Sequence, residues 1–231
     1  MPFMKRLLAL ILLAALQQSA YAYDSSEHQI NDYRRILLAD DFEAKCDVLN
    51  HLQWDGLNDP RIFDWVEAYV LEFYQSSFLS RERFALKRLA IRALAYSGNE
   101  KYRYSLFLVE VEAAGEDIRH DGKLALAQLD QHIEWQKKIK KSGYQFAHKS
   151  TIISTYMKML STQDPEIQQL AATGIVHDQI KDTELLALAF QQWQQLQSKR
   201  HLTDQQQSTK RWLLKAIDRN TDRYSHRYDR R

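Results

Sequence analysis

Apolar and polar residues recur along most of this chain with a period near 3.6, and capping residues cut the pattern into helix-sized lengths. A first helix is expected from near Ser26 to Leu38, with Ile30, Tyr33, Ile36 and Leu37 on its apolar side. Asp40 or Asp41 then caps a second helix through His51, whose buried stripe reads Phe42, Cys46, Leu49 and Leu52. At Asp59-Pro60 the chain restarts: the carboxylate accepts free amides, and the proline ring already holds the angle of a first turn. That third helix carries Ile62, Phe63, Val66, Tyr69, Val70 and Phe73. A fourth begins near Ser80 and stops at Gly98, and a fifth runs from an Asn99 cap to Ala114. A long sixth spans Glu116 to about Lys141. Ser150, Asp164-Pro165, Asp182, and Thr203 or Asp204 open four more, the last through Ile217.

Composition agrees with helices throughout. Six glycines and three prolines in 231 residues are too few turn formers for a sheet-rich fold. The commonest residues, among them Leu, Ala, Gln, Glu, Arg and Lys, are strong helix formers. The expected class is all-α.

The start of the chain has a different character. Lys5 and Arg6 precede an unbroken apolar run, Leu7 to Leu16, and Ala20-Tyr21-Ala22 supplies the small residues a signal peptidase reads. The run is too short to cross a bilayer core, which needs about 20 residues. Residues 1–22 are therefore expected to be a cleaved export signal, leaving the protein soluble in the periplasm or secreted. Lys5 and Arg6 account for the whole formal charge of +2. The remainder is neutral, which argues against a nucleic-acid-coating protein. Cys46 is the single cysteine, so no intrachain disulfide can form and stability must come from apolar packing.

The helices alternate. Those with Tyr, Phe and Val precede those rich in Ala and Leu, giving about five pairs with starts roughly 30 to 40 residues apart, the spacing of a helical solenoid. Two segments carry a family resemblance. Phe84-Ala-Leu-Lys-Arg-Leu-Ala-Ile-Arg-Ala-Leu-Ala-Tyr-Ser-Gly98 resembles the second helix of a HEAT-type repeat, with Ala90, Ala93 and Leu94 in its small and apolar positions and Arg92 between them. Asp164-Pro-Glu-Ile-Gln-Gln-Leu-Ala-Ala-Thr-Gly174 resembles the same helix, with the family's Asp-Pro entry and alanine pair, Ala171 and Ala172. Gln168 stands where the family usually has Arg. Asn99-Glu100-Lys101-Tyr102 resembles the turn into the next repeat. The resemblance implies a right-handed α-solenoid of about five HEAT-like pairs over residues 23–218, followed by a basic tail, 219–231. The tetratricopeptide repeat is the alternative, but its Trp, Leu-Gly and Tyr register is not found.

No catalytic motif stands out. A Gly-x-Ser-x-Gly elbow, a phosphate-cradling Gly-rich loop and a His-Glu-x-x-His pair are all missing from the sequence. Asp117, His120, Asp121 and His132 can be assembled into a metal set, yet such residues near a helix start are ordinary caps, so no metal or cofactor is expected. The clearest interaction signal is a basic strip on the fourth helix, Arg83, Lys87, Arg88 and Arg92, extended by Lys123 on the sixth. Lining a concave groove, it would face an acidic protein segment. Tyr102, Tyr104, Trp135 and Trp193 are candidate interface aromatics. The expected function is an exported, non-catalytic binding or scaffold protein with a protein partner. The alternatives are an enzyme or enzyme accessory subunit with its site in the groove, and a membrane-surface protein acting through residues 219–231.

Overall fold

A computed structural model describes residues 27–77, 80–142 and 149–220. The expected export signal, and the tail from residue 221, lie outside the described residues. Among the described residues every regular element is helical and none is a strand.

Helices begin where short polar side chains catch unpaired backbone amides. Helix α1 covers residues 27–38. Asp41 accepts from the Ala44 amide at 3.0 Å and opens α2 (Phe42–His51). Asp59 accepts from the Arg61 amide at 2.9 Å, just ahead of Pro60, and opens α3 (Pro60–Phe73). Ser80 caps α4 (Arg81–Tyr96). Asn99 caps not an α-helix but a 3-10 turn, Glu100–Tyr102, which leads into α5 (Arg103–Glu112). Helix α6 (Glu116–Lys141) follows Gly115, whose φ of 122° is open to glycine alone. Ser150, Asp164 and Asp182 cap α7 (Thr151–Leu160), α8 (Pro165–His177) and α9 (Thr183–Gln197). At α10 (Asp204–Asn220), Thr203 Oγ1 accepts from the Gln206 amide at 3.2 Å while Gln206 Oε1 accepts from the Thr203 amide at 3.1 Å, a reciprocal cap. This helix runs past the expected stop at Ile217, so Arg219 and Asn220 belong to it rather than to a tail.

The apolar faces gather into two cores. The first unites α1 to α6 through residues such as Leu37, Phe63, Val66, Ile91, Leu94 and Leu106. The second unites the end of α6 with α7 to α10 through Tyr156, Leu160, Ile167, Ile175, Leu185 and Leu213. Helix α6 serves both, giving Ile118, Ala125 and Leu129 to one and Ile139 to the other. Its 26 residues make a strut about 39 Å long.

Consecutive helices pack as pairs, α3 on α4, α5 on α6, α7 on α8 and α9 on α10, while α2, α4 and α6 lie side by side, as do α8 and α10. Contacts are not confined to chain neighbours. The turn after α2 reaches the second core: Trp54 stacks on His177, ring centres 4.6 Å apart, and Gly56 lies against Thr155 of α7.

Inside the second core, Tyr156 of α7 packs directly over a glycine in α8. A Cβ at Gly174 would lie 2.3 Å from the Tyr156 hydroxyl oxygen, and Tyr156 is fully buried. Gly174→Ala must push this ring out of its packed position. The expected cost is about 1–3 kcal/mol, read as a lower urea midpoint. An unchanged midpoint would show that Tyr156 has room to move.

Candidate functional site: a carboxamide-lined groove and a buried carboxylate junction

The basic strip is present on α4 and α6, but most of it is engaged inside the molecule. Lys87 is fully buried: its Nζ donates to the Ser76 carbonyl at 3.2 Å and lies 5.5 Å from the Phe84 ring centre. Burial lowers its pKa. Lys87 is thus a correction to the expected strip, because it closes the α3–α4 connection and cannot reach a partner. Arg88 and Arg92 both pair with Asp121 of α6, whose side chain is 2 % exposed, and Arg88 grips it through two nitrogens. Burial alone would raise the Asp121 pKa, but the two guanidiniums outweigh it and hold the carboxyl below its ordinary value. Arg83 and Lys123 remain exposed. The strip is therefore an interhelical clamp with two free flanks.

The remaining candidates separate in the same way. His132 is buried between Tyr96 and Trp135, at 5.3 and 4.6 Å between ring centres, and burial pushes its pKa down to about 4. Asp121 is committed to arginine. Among the described residues no group of three or more His, Cys, Asp or Glu side chains could hold a metal ion. The Cys46 thiol is half-buried, and burial, then Asp47 and Glu43, raise its pKa, the opposite of nucleophile activation. Tyr102 is buried and donates to Asp64 at 2.7 Å, whereas Tyr104 stands 68 % exposed on α5. Trp135 and Trp193 are half-buried.

Two constellations were not anticipated from the sequence. The first lies where the two cores meet. Tyr33 of α1 donates to Asp55 Oδ2 at 2.5 Å, and Tyr156 of α7 donates to Asp178 Oδ2, at the end of α8, at 2.6 Å. His51 Nε2 stands 3.7 Å from Asp178 Oδ1, and its Nδ1 lies 2.7 Å from the Asp47 carbonyl oxygen. Asp55 is wholly buried, and its Oδ1 has no protein partner, nor does the neighbouring Trp54 Nε1. Burial pushes the Asp55 carboxyl up to about 7; the Asp178 charge adds to the rise, while the Tyr33 bond, His51 and the nearby Tyr156 hydroxyl oppose it. Burial also holds the Tyr33 and Tyr156 hydroxyls well above their ordinary pKa, so both remain donors.

The second constellation is a groove of about 540 Å³ formed by the end of α7, the start of α8, one face of α9 and the start of α10. Positions 188, 191, 192 and 195 recur at helical spacing, so Leu188, Gln191, Gln192 and Gln195 form one stripe of α9. Gln168 secures this wall from beneath. It is 6 % exposed, and its Nε2 donates to the Thr162 carbonyl at 2.7 Å and to Gln192 Oε1 at 3.1 Å. With its oxygen held, Gln192 has its NH2 left to offer. Met157 and Leu196 add apolar surface, and among the described lining residues the one ionisable side chain is Lys199. No family model, curated protein or solved structure matches this chain.

The glutamine stripe was visible in the sequence as spacing but looked like generic helix-forming composition. The junction had no local signal, because its members lie on α1, α7, the end of α8 and the turn after α2.

Two substitutions test these assignments. Asp55 is neutral in the fold up to about pH 7 but ionises near pH 4 when unfolded, so the native state binds more protons and its stability falls as pH rises across that window. Asp55→Asn mimics the neutral acid and removes this slope. Its melting temperature should gain on the parent between pH 4.5 and 7.5, and a constant difference would refute the assignment. Separately, Asp121→Ala leaves two half-exposed arginines facing each other without their shared anion. A loss of about 1–3 kcal/mol in chemical unfolding is expected; no loss would mean that water replaces the clamp.

Proposed function

We propose that this protein is an exported, non-catalytic binding module, built of HEAT-like helix pairs, that holds a segment of a partner protein in the groove between α7 and α9. One observation carries the reading: the 540 Å³ groove, of a size typical for ligand sites, is lined mainly by neutral hydrogen-bonding side chains. Such a lining can grip a partner but offers no pair of acid and base groups. The pairwise packing of aromatic-bearing and alanine-rich helices supports the repeat assignment. Support for export comes from Lys5, Arg6, the run Leu7 to Leu16 and Ala20-Tyr21-Ala22. Among the described residues no helix is long and apolar enough to cross a membrane.

The clamp on α4 shifts the proposed docking surface away from the arginines. Arg88 and Arg92 already face an anion, and an acidic partner would have to displace a buried carboxylate to reach them. The groove glutamines at 191 and 195 are exposed.

A photo-crosslinking amino acid at position 195, and separately at position 83, distinguishes the two surfaces in living cells. A discrete crosslinked partner from position 195, with none from position 83, is the expected outcome. A partner captured from 83 alone would return the docking surface to α4 and refute the groove.

A further inference from the structure

Resting on that reading, we infer that the groove between α7 and α9 recognises the backbone of an extended, uncharged peptide segment. The dimensions suggest it first. Gln191 and Gln195 are one turn apart on α9, about 6 Å along its axis. An extended chain presents the same edge every second residue, about 6.6 Å apart. Successive carboxamides of the stripe therefore meet successive backbone groups on one edge of an extended segment laid along α9.

The chemistry agrees. Each carboxamide carries a donor and an acceptor, matching the N–H and C=O that a strand edge presents together. Gln168 fixes the sense at one position by holding Gln192 Oε1, which directs the Gln192 NH2 toward a carbonyl acceptor. Gln168 is itself satisfied by the Thr162 carbonyl, so the wall is organised before any ligand arrives and little ordering cost falls on binding. Every second side chain of an extended segment leaves on one face, and Leu188 on the stripe, with the largely buried Met157 and Leu196 beside it, offers apolar contact for small aliphatic groups. With Lys199 the single ionisable side chain among the described lining residues, charged side chains gain nothing along most of the length. Among the described residues no aromatic side chain lines the groove to stack against a sugar ring.

The probe is acetyl-Ala-Val-Ala-Val-Ala-amide, followed by chemical-shift titration of the full-length protein. Three variants of the probe accompany it: N-methylated on one edge, N-methylated on the other, and replaced by maltotetraose. Saturable binding that one N-methylated edge abolishes and the other leaves intact is expected. Gln191→Ala with Gln195→Ala should weaken it at least tenfold while leaving the melting temperature unchanged, since both side chains are exposed. Binding that tolerates methylation of both edges, or maltotetraose binding that the double substitution abolishes, overturns the backbone assignment and leaves the groove as a binding site. No saturable binding of either probe also overturns it; the crosslink from position 195 then decides independently whether the groove holds a partner at all.

Discussion

A carboxylate without enough partners governs how the two halves of this molecule can meet. Asp55 is completely buried, receives one phenolic hydrogen bond from Tyr33, and keeps its second oxygen without a protein partner. A full charge in that position would cost several kcal/mol, so the group is held in its neutral form toward pH 7. Every neighbour fits this constraint. Tyr156 spends its hydroxyl on Asp178, His51 stands beside the same carboxylate, and the Trp54–His177 stack closes over the turn. Gly174 clears the space that Tyr156 needs.

The shared helix α6 explains why such a junction is needed. Each core is assembled from helix pairs that bury their faces against one another. A continuous strut gives Ile118, Ala125 and Leu129 to one core and Ile139 to the next. It fixes their separation but leaves rotation about its axis undetermined by apolar burial alone, which is non-directional. Hydrogen bonds are directional. The Tyr33–Asp55 and Tyr156–Asp178 bonds fix side chains within each half, and the contacts that cross between the halves, His51 Nε2 at 3.7 Å from Asp178 Oδ1 and the Trp54–His177 ring stack, supply the orientation that the apolar surfaces cannot specify.

Local chemistry was legible in the sequence; distant chemistry was not. Asp59-Pro60, Asp164-Pro165, Ser80, Ser150 and Asp182 announced their helices because a cap acts within four residues of itself. The start of α5 was read less well: Asn99 caps as expected, but the first turn tightens to 3-10 around buried Tyr102. Lys87 was placed on a solvent face because it is a lysine, although its spacing already told against that. It lies three and four positions before Ala90 and Ile91, both fully buried, so the register put it on the inner side of α4. Asp55 could not be found at all from the chain, since Trp54-Asp55-Gly56 reads as an ordinary turn and its hydrogen-bond partner, Tyr33, lies 22 residues away.

The same contrast decides which surface is free to bind. Charges on neighbouring helices of a packed array find each other, because a buried carboxylate such as Asp121 is stable only with a cation beside it. Arg88 and Arg92 answer that need, so a conspicuous basic pattern in the sequence becomes internal structure. Carboxamides face no such pressure: water satisfies an exposed glutamine well, and burial of one, as at Gln168, requires only a few backbone carbonyls. A stripe of glutamines can therefore stay on the surface, organised from beneath yet uncommitted, where a stripe of arginines would already have been consumed. The inconspicuous side chains of α9 are for that reason better placed to meet another molecule than the charged ones of α4.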